Sequence, residues 1–174
     1  MTGESHRQSR GEGFVTFILK RCQDKGEAAH LRRADNPATE YQSWETLAAF
    51  GIDLEKPWER LPFACIAASL ARSRRETDGD AGIGVALASC YDDGNQSEQA
   101  RARLRRLLAC DSLEEACRIL RPLFNLVESR GRHPLDHARL LDELRKFHWD
   151  AQTIKARWAQ DFYRRAVERE EQPT

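Results

Sequence analysis

The sequence predicts an all-α fold, a compact helical bundle of about eight to nine helices that can divide into two small lobes. Three observations predict it. Residues that favour strands are sparse, while Leu, Ala, Arg and Glu are abundant. Apolar residues recur at i, i+3 and i+4 in one segment after another. Gly, Pro and Asp-Asn breaks separate those segments at helix-length intervals. No stretch alternates as a strand should, and no internal repeat is visible.

Each element follows from local signals. Residues 1–12 are polar and read as a disordered arm. Phe14, Phe17 and Ile18 begin a first helix that Asp24-Lys25-Gly26 interrupts. A short second helix ends at Leu31-Arg32-Arg33 before the Asp35-Asn36-Pro37 turn. Tyr41, Trp44, Leu47 and Phe50 mark the third, stopped by Gly51. Pro57 opens a fourth, which runs to about Arg72. Residues 73–84 carry Gly79, Gly82 and Gly84 with little to bury, and read as a flexible, exposed loop between an N-terminal lobe (13–72) and a C-terminal bundle (85–167). After a short helix over 85–91, a helix from about Ser97 to Ala109 places Leu104, Leu107 and Leu108 on one face. Ser112 caps the next helix, with Glu115 three residues on as in a capping box. Pro134 opens another, and the last begins near Asp150 and fades into a tail over 168–174.

Composition excludes several classes. The longest apolar run, Phe63 to Ala71, is too short to span a bilayer, and the first residues lack a signal peptide's apolar middle, so a cytoplasmic location is expected. Five cysteines without C-x-x-C spacing, most of them among Ala, Leu and Ile, read as small apolar fillers rather than disulfides or zinc ligands. His133 and His137 have i, i+4 spacing, but no third ligand accompanies them, so no metal is expected. The order of Gly79, Gly82 and Gly84 is wrong for a dinucleotide fingerprint, and no cofactor is expected. No nucleophile with its base, and no P-loop, is apparent, so no catalytic residue is assigned. Trp44, Trp58, Trp149 and Trp158 read as core anchors, which leaves little for base stacking.

The arginines remain. The chain has 28 basic and 28 acidic residues, yet 23 of the basic ones are Arg, whose planar fork suits bidentate contact with phosphate. Codon preference accounts for abundance, so placement is what counts. Arg101 and Arg105 project from neighbouring turns, with Arg103 and Arg106 beside them, all turned away from the leucine face. Glu98 and Asp111 lie at the ends of the row, so no acid is expected to neutralise it internally. Arg118 and Arg121 similarly oppose the apolar stripe of the next helix. Such a row can follow successive phosphates of an extended strand.

The succession of Leu31-Arg32-Arg33-Ala34, Trp44, Gly82-Ile83-Gly84-Val85-Ala86-Leu87-Ala88, Arg103 to Asp111, Arg118-Ile119-Leu120-Arg121-Pro122-Leu123, Leu135 to Leu144 and Trp158 to Tyr163 resembles the CasB family, small subunits of the type I-E CRISPR surveillance complex Cascade. The resemblance implies an all-helical, non-enzymatic subunit of an antiviral complex. It implies partners: the other Cascade subunits (backbone and large), a second copy placed head-to-tail, CRISPR RNA, and target and non-target DNA. By position it assigns nucleic-acid contacts to Arg32, Arg33, Arg101, Arg103, Arg121, Lys155 and Arg157. Arg105 and Arg106 join that set from the helix-face reading. Target cleavage falls to a separate recruited nuclease. Two other readings of the same arginines stay open: a helical DNA-binding regulator, and an adaptor that meets acidic protein partners.

Overall fold

In the computed structural model, described for the backbone of residues 7–170 and the side chains of residues 7–164, helices follow one another without a strand among the described residues. They are α1 (Arg10–Arg21), α2 (Lys25–Leu31), α3 (Trp44–Ala49), α4 (Pro57–Ser73), α5 (Ile83–Ala88), α6 (Glu98–Leu108), α7 (Leu113–Arg130) and α8 (His137–Glu170). Tight 3-10 turns at Glu40–Ser43 and Gly94–Gln96 precede α3 and α6. Helix α8 contains one non-helical residue, Asp150 (φ −134°, ψ 33°), where the sequence predicts a boundary between its last two helices.

Capping explains the starts. The first helix begins earlier than the apolar spacing predicts, because Ser9 and Glu12 form a reciprocal capping box: the Ser9 hydroxyl accepts from the Glu12 amide at 3.1 Å, and the Glu12 carboxylate accepts from the Ser9 amide at 2.8 Å. The expected arm therefore becomes helical at Arg10, and the Gly11 amide donates to Asp142 of α8 at 3.0 Å. Residues 1–6 of that arm, and 171–174 of the expected tail, lie outside the described residues. Ser97 and Ser112 cap α6 and α7 by accepting from Ala100 and Glu115.

Helix α8 is the spine, packing against α1, α4, α5, α6 and α7, while α4 also lies along α7. The buried side chains form one cluster running from Phe14 through Phe63, Leu87, Leu104 and Leu120 to Trp158 and Phe162. The segment 73–84, expected to be exposed, is so only at residues 74–77 and 80. Its glycines serve close approach, not flexibility. A Cβ on Gly84 would stand 2.3 Å from the Trp158 carbonyl oxygen, and one on Gly82 2.5 Å from the Asp161 carboxylate. Only glycine lets α5 lie this close to the second half of α8.

Candidate nucleic-acid interface

Helix α6 displays the row that its leucine spacing predicts. Ala100, Leu104 and Leu107 are buried, and Arg103, Arg105 and Arg106 are exposed. Glu98 occupies the first turn, with Arg105 and Arg106 in the last, the arrangement the helix dipole favours. Arg105 and Arg106 have no hydrogen-bond or ion-pair partner among the described residues. Arg103 is held on one side only. Its Nε donates to the Tyr91 hydroxyl at 2.8 Å, which orients the guanidinium and leaves both terminal nitrogens without a hydrogen-bond partner among the described residues.

Arg101 departs from this pattern. Its Nε donates to the Asn95 carbonyl at 2.9 Å, its Nη2 to Gln96 Oε1 at 2.8 Å, and its Nη1 lies 3.4 Å from Glu98. It braces the turn before α6. The expectation of an unneutralised row is thus corrected at its first member, because an i, i+3 spacing lets Glu98 reach back to Arg101. In compensation the structure adds Arg130, exposed at the end of α7. Burial pushes the Cys90 thiol up to about 11, and the charges of Arg103 and Arg130 are both near enough to oppose part of that rise. Nothing in the sequence pairs Arg130 with Arg103, since the fold alone brings α7's end to that point.

The other assigned residues fall into separate groups. Arg32 donates from Nε to the Ala71 carbonyl at 3.3 Å, and its own carbonyl accepts from Arg72 at 3.2 Å. Asp35, 4% exposed at its side chain, takes Arg72 at 2.7 Å and Arg121 at 3.5 Å. Arg121 is therefore committed to a carboxylate joining the 32–35 turn to α4 and α7. One oxygen of Asp35 and the Nε of Arg72 are buried without a partner. Arg33 is exposed, 3.4 Å from Gln42. Arg32 also borders an open cleft of about 1150 Å³ with Lys20, Arg74 and Arg75. On α8, Lys155 donates to the Cys110 carbonyl just beyond α6, and Arg157 lies 3.6 Å from Glu143. Of the nine assigned cations, then, the four on α6 share one helix, Lys155 anchors α8 beside it, Arg157 pairs with Glu143 on α8 itself, and Arg32, Arg33 and Arg121 lie around the Asp35 joint.

Two polar chains hold the scaffold. The Trp158 indole donates to Glu143 at 2.7 Å, and Arg139 joins Glu143 (3.2 Å) to Asp161, clamping the two halves of α8 across Asp150. Ser69 Oγ lies 2.9 Å from His137 Nε2, and His137 Nδ1 lies 2.8 Å from Asp78. This hydroxyl–imidazole–carboxylate order escaped the sequence, because its members come from α4, the loop after it and α8. Ser69 lies inside a continuous helix with 5% exposure. Asp78 also accepts the His137 and Ala138 amides at 3.0 Å each, so the chain fastens the loop to the start of α8. Burial opposes ionisation of Asp78, but the hydrogen bonds and charge of His137 outweigh it and hold the carboxyl below its ordinary value.

All five cysteines are free, and no group of three or more His, Cys, Asp and Glu side chains among the described residues could hold a metal ion. No helix among them is long and apolar enough to cross a membrane. Trp158 alone of the four tryptophans is a core anchor. Trp44, Trp58 and Trp149 stand exposed, which corrects the expectation that all four are buried.

Comparison with known proteins bears on these features. The profile of a family described as CRISPR-associated protein Cse2 matches residues 27–163. CasB from Thermus thermophilus is 26% identical, with a TM-score of 0.71 over 89% of this chain and 98% of that one. CasB from M. ruber is 24% identical, with a TM-score of 0.72 over 93% and 97%. A chain in a structure described as a CRISPR RNA-guided surveillance complex is 21% identical, with a TM-score of 0.70 over 93% and 97%. No curated protein matches by sequence.

Proposed function

The chain belongs to the CRISPR-associated Cse2 family, and from that membership we propose that it is the non-catalytic small subunit of a type I-E CRISPR surveillance complex, whose arginines grip the backbone of opened DNA. The observation that carries the nucleic-acid part is the exposed row Arg103, Arg105 and Arg106, backed by Arg130, on a chain whose 28 basic and 28 acidic residues otherwise cancel. A neutral protein with a local cationic face binds phosphate at that face and little elsewhere.

The mechanism follows from energetics. Exchanging a DNA duplex for an RNA–DNA duplex is a near-balanced reaction in RNA-guided effectors, so modest backbone contacts tip it. A subunit that holds the displaced non-target strand makes reannealing less favourable. Phosphate contacts do this without reading sequence, as a machine programmed by its guide requires. A second copy, placed head-to-tail along the assembly, doubles the length of strand held.

The test replaces Arg103, Arg105 and Arg106 with Ala in the assembled complex and measures R-loop lifetime. Arg101 is left intact because it braces its own turn. Faster R-loop collapse, with assembly and guide content unchanged, is the expected result. An unchanged lifetime removes the row from the strand-holding role. Failure to assemble assigns the arginines to acidic protein partners, as in the adaptor reading.

A further inference from the structure

Trp149 is 64% exposed, the most exposed large hydrophobic side chain among the described residues. It stands immediately before Asp150, the residue that breaks α8, so the exposed indole sits at an elbow of that helix. Helical side chains lean toward the helix N-terminus, and the preceding turn carries Arg145 and Lys146 as the i−4 and i−3 neighbours of Trp149. The His148 ring meets it edge-on, with centroids 4.1 Å apart. Lys146 is exposed and has no partner among the described residues, whereas Arg145 is engaged inward, 3.3 Å from Asp142 and over the Phe63 ring at 5.8 Å, which leaves Lys146 as the free cation beside the indole. Beyond the elbow, Gln152 and Thr153 are exposed and polar. The elbow is also tied to the end of α6. Lys155 reaches the Cys110 carbonyl while its ammonium lies 5.9 Å from the Phe147 ring, two residues before Trp149.

A docking site for an apolar protein segment would extend the indole with further apolar surface. Here the rim is cationic and polar, which suits a ligand with a flat ring beside a negative charge. We propose that Trp149 is a stacking platform for an unpaired base of single-stranded nucleic acid, with Lys146 meeting the adjoining phosphate. An indole face accepts every base, so this contact, like those of the arginines, is independent of sequence. The inference rests on the nucleic-acid reading above and adds a base contact to its phosphate contacts.

The test uses the full chain at low ionic strength with two labelled strands of equal length, oligothymidylate and an abasic strand carrying phosphates without bases. Binding is followed by fluorescence anisotropy, and melting temperature confirms that each variant is folded. Trp149→Ala is expected to weaken oligothymidylate binding on the order of tenfold, to leave abasic-strand binding unchanged, and Trp149→Phe to retain most of the affinity. Equal loss on both strands, or loss on neither, overturns stacking. If Trp149→Ala has no effect while Arg105→Ala with Arg106→Ala weakens both strands, stacking falls and the phosphate reading stands. If neither set has an effect, both fall. Normal strand binding by Trp149→Ala with failed assembly assigns the indole to a protein contact and overturns the proposal.

Discussion

Arg101 and Arg105 are one helical turn apart on α6, yet they do different work. Arg101 spends its donors on Asn95, Gln96 and Glu98, whereas Arg105 has no partner among the described residues. A guanidinium with its donors already bonded has little left for phosphate, and moving it would leave a backbone carbonyl unpaired. Asp78 shows the same economy with opposite charge. Its folded-state pKa lies below the ordinary value, so the stability it contributes is full above the unfolded pKa of about 3.9 and is lost as pH falls through the folded value. Asp136 works the other way: burial raises its pKa, with Asp78's charge adding to the rise, so its protonation in acid offsets part of that loss. Asp78→Asn should therefore lower stability at neutral pH by about 1–3 kcal/mol and shrink the loss as pH falls below about 4. Urea unfolding across that range measures both effects, and parallel pH profiles for the two proteins contradict the assignment.

At the level of elements, the contact between α5 and the second half of α8 is one of the tightest backbone approaches among the described residues, alongside those of Gly11 and Gly79. Gly84 faces the Trp158 carbonyl and the Phe162 amide, both backbone atoms that cannot swing aside as a side-chain end can. Gly84→Ala should destabilise the fold by about 1–3 kcal/mol or more, since overpacking forces two helices apart. Thermal unfolding measures it. Gly94→Ala is the contrast, because a Cβ there meets nothing within 4 Å and only its φ of 55° opposes the substitution. A smaller loss at Gly94 than at Gly84 is expected, and the reverse order would refute close approach as the reason for glycine. The sequence shows Gly82-Ile83-Gly84 as a pattern but carries no signal of what it abuts, because Trp158 is more than seventy residues away.

For the whole molecule, net charge and charge placement predict different behaviour. Zero net charge gives no long-range attraction to nucleic acid, so the proposed strand binding would depend on contacts within roughly one Debye length of the α6 face. Binding to single strands should weaken steeply with salt, with a log–log slope set by the phosphates contacted. Removing Arg103, Arg105 and Arg106 should reduce that slope by about 2. A salt-titrated binding series measures it, and an unchanged slope means that those three side chains do not contact phosphate.

What the sequence determined by itself is local. Caps at Ser97 and Ser112, Pro57 at a helix start, the break near Asp150 and the leucine spacing of α6 all act within a few residues, so they place the helices and the outward face of the arginine row. Tertiary structure decided which of those arginines are available. Tyr91 orients Arg103, Asp35 engages Arg121, Ala71 holds Arg32 and Glu143 draws Arg157, and none of these partners lies within one helical turn of its arginine along the chain. The same holds for the tryptophans. Trp149 and Trp158 lie on one helix nine residues apart, and only the packing of α8 against its neighbours buries one and leaves the other facing solvent. Helix position is set by short-range hydrogen bonding and periodicity, whereas the freedom of a surface charge is set by whatever the fold brings beside it.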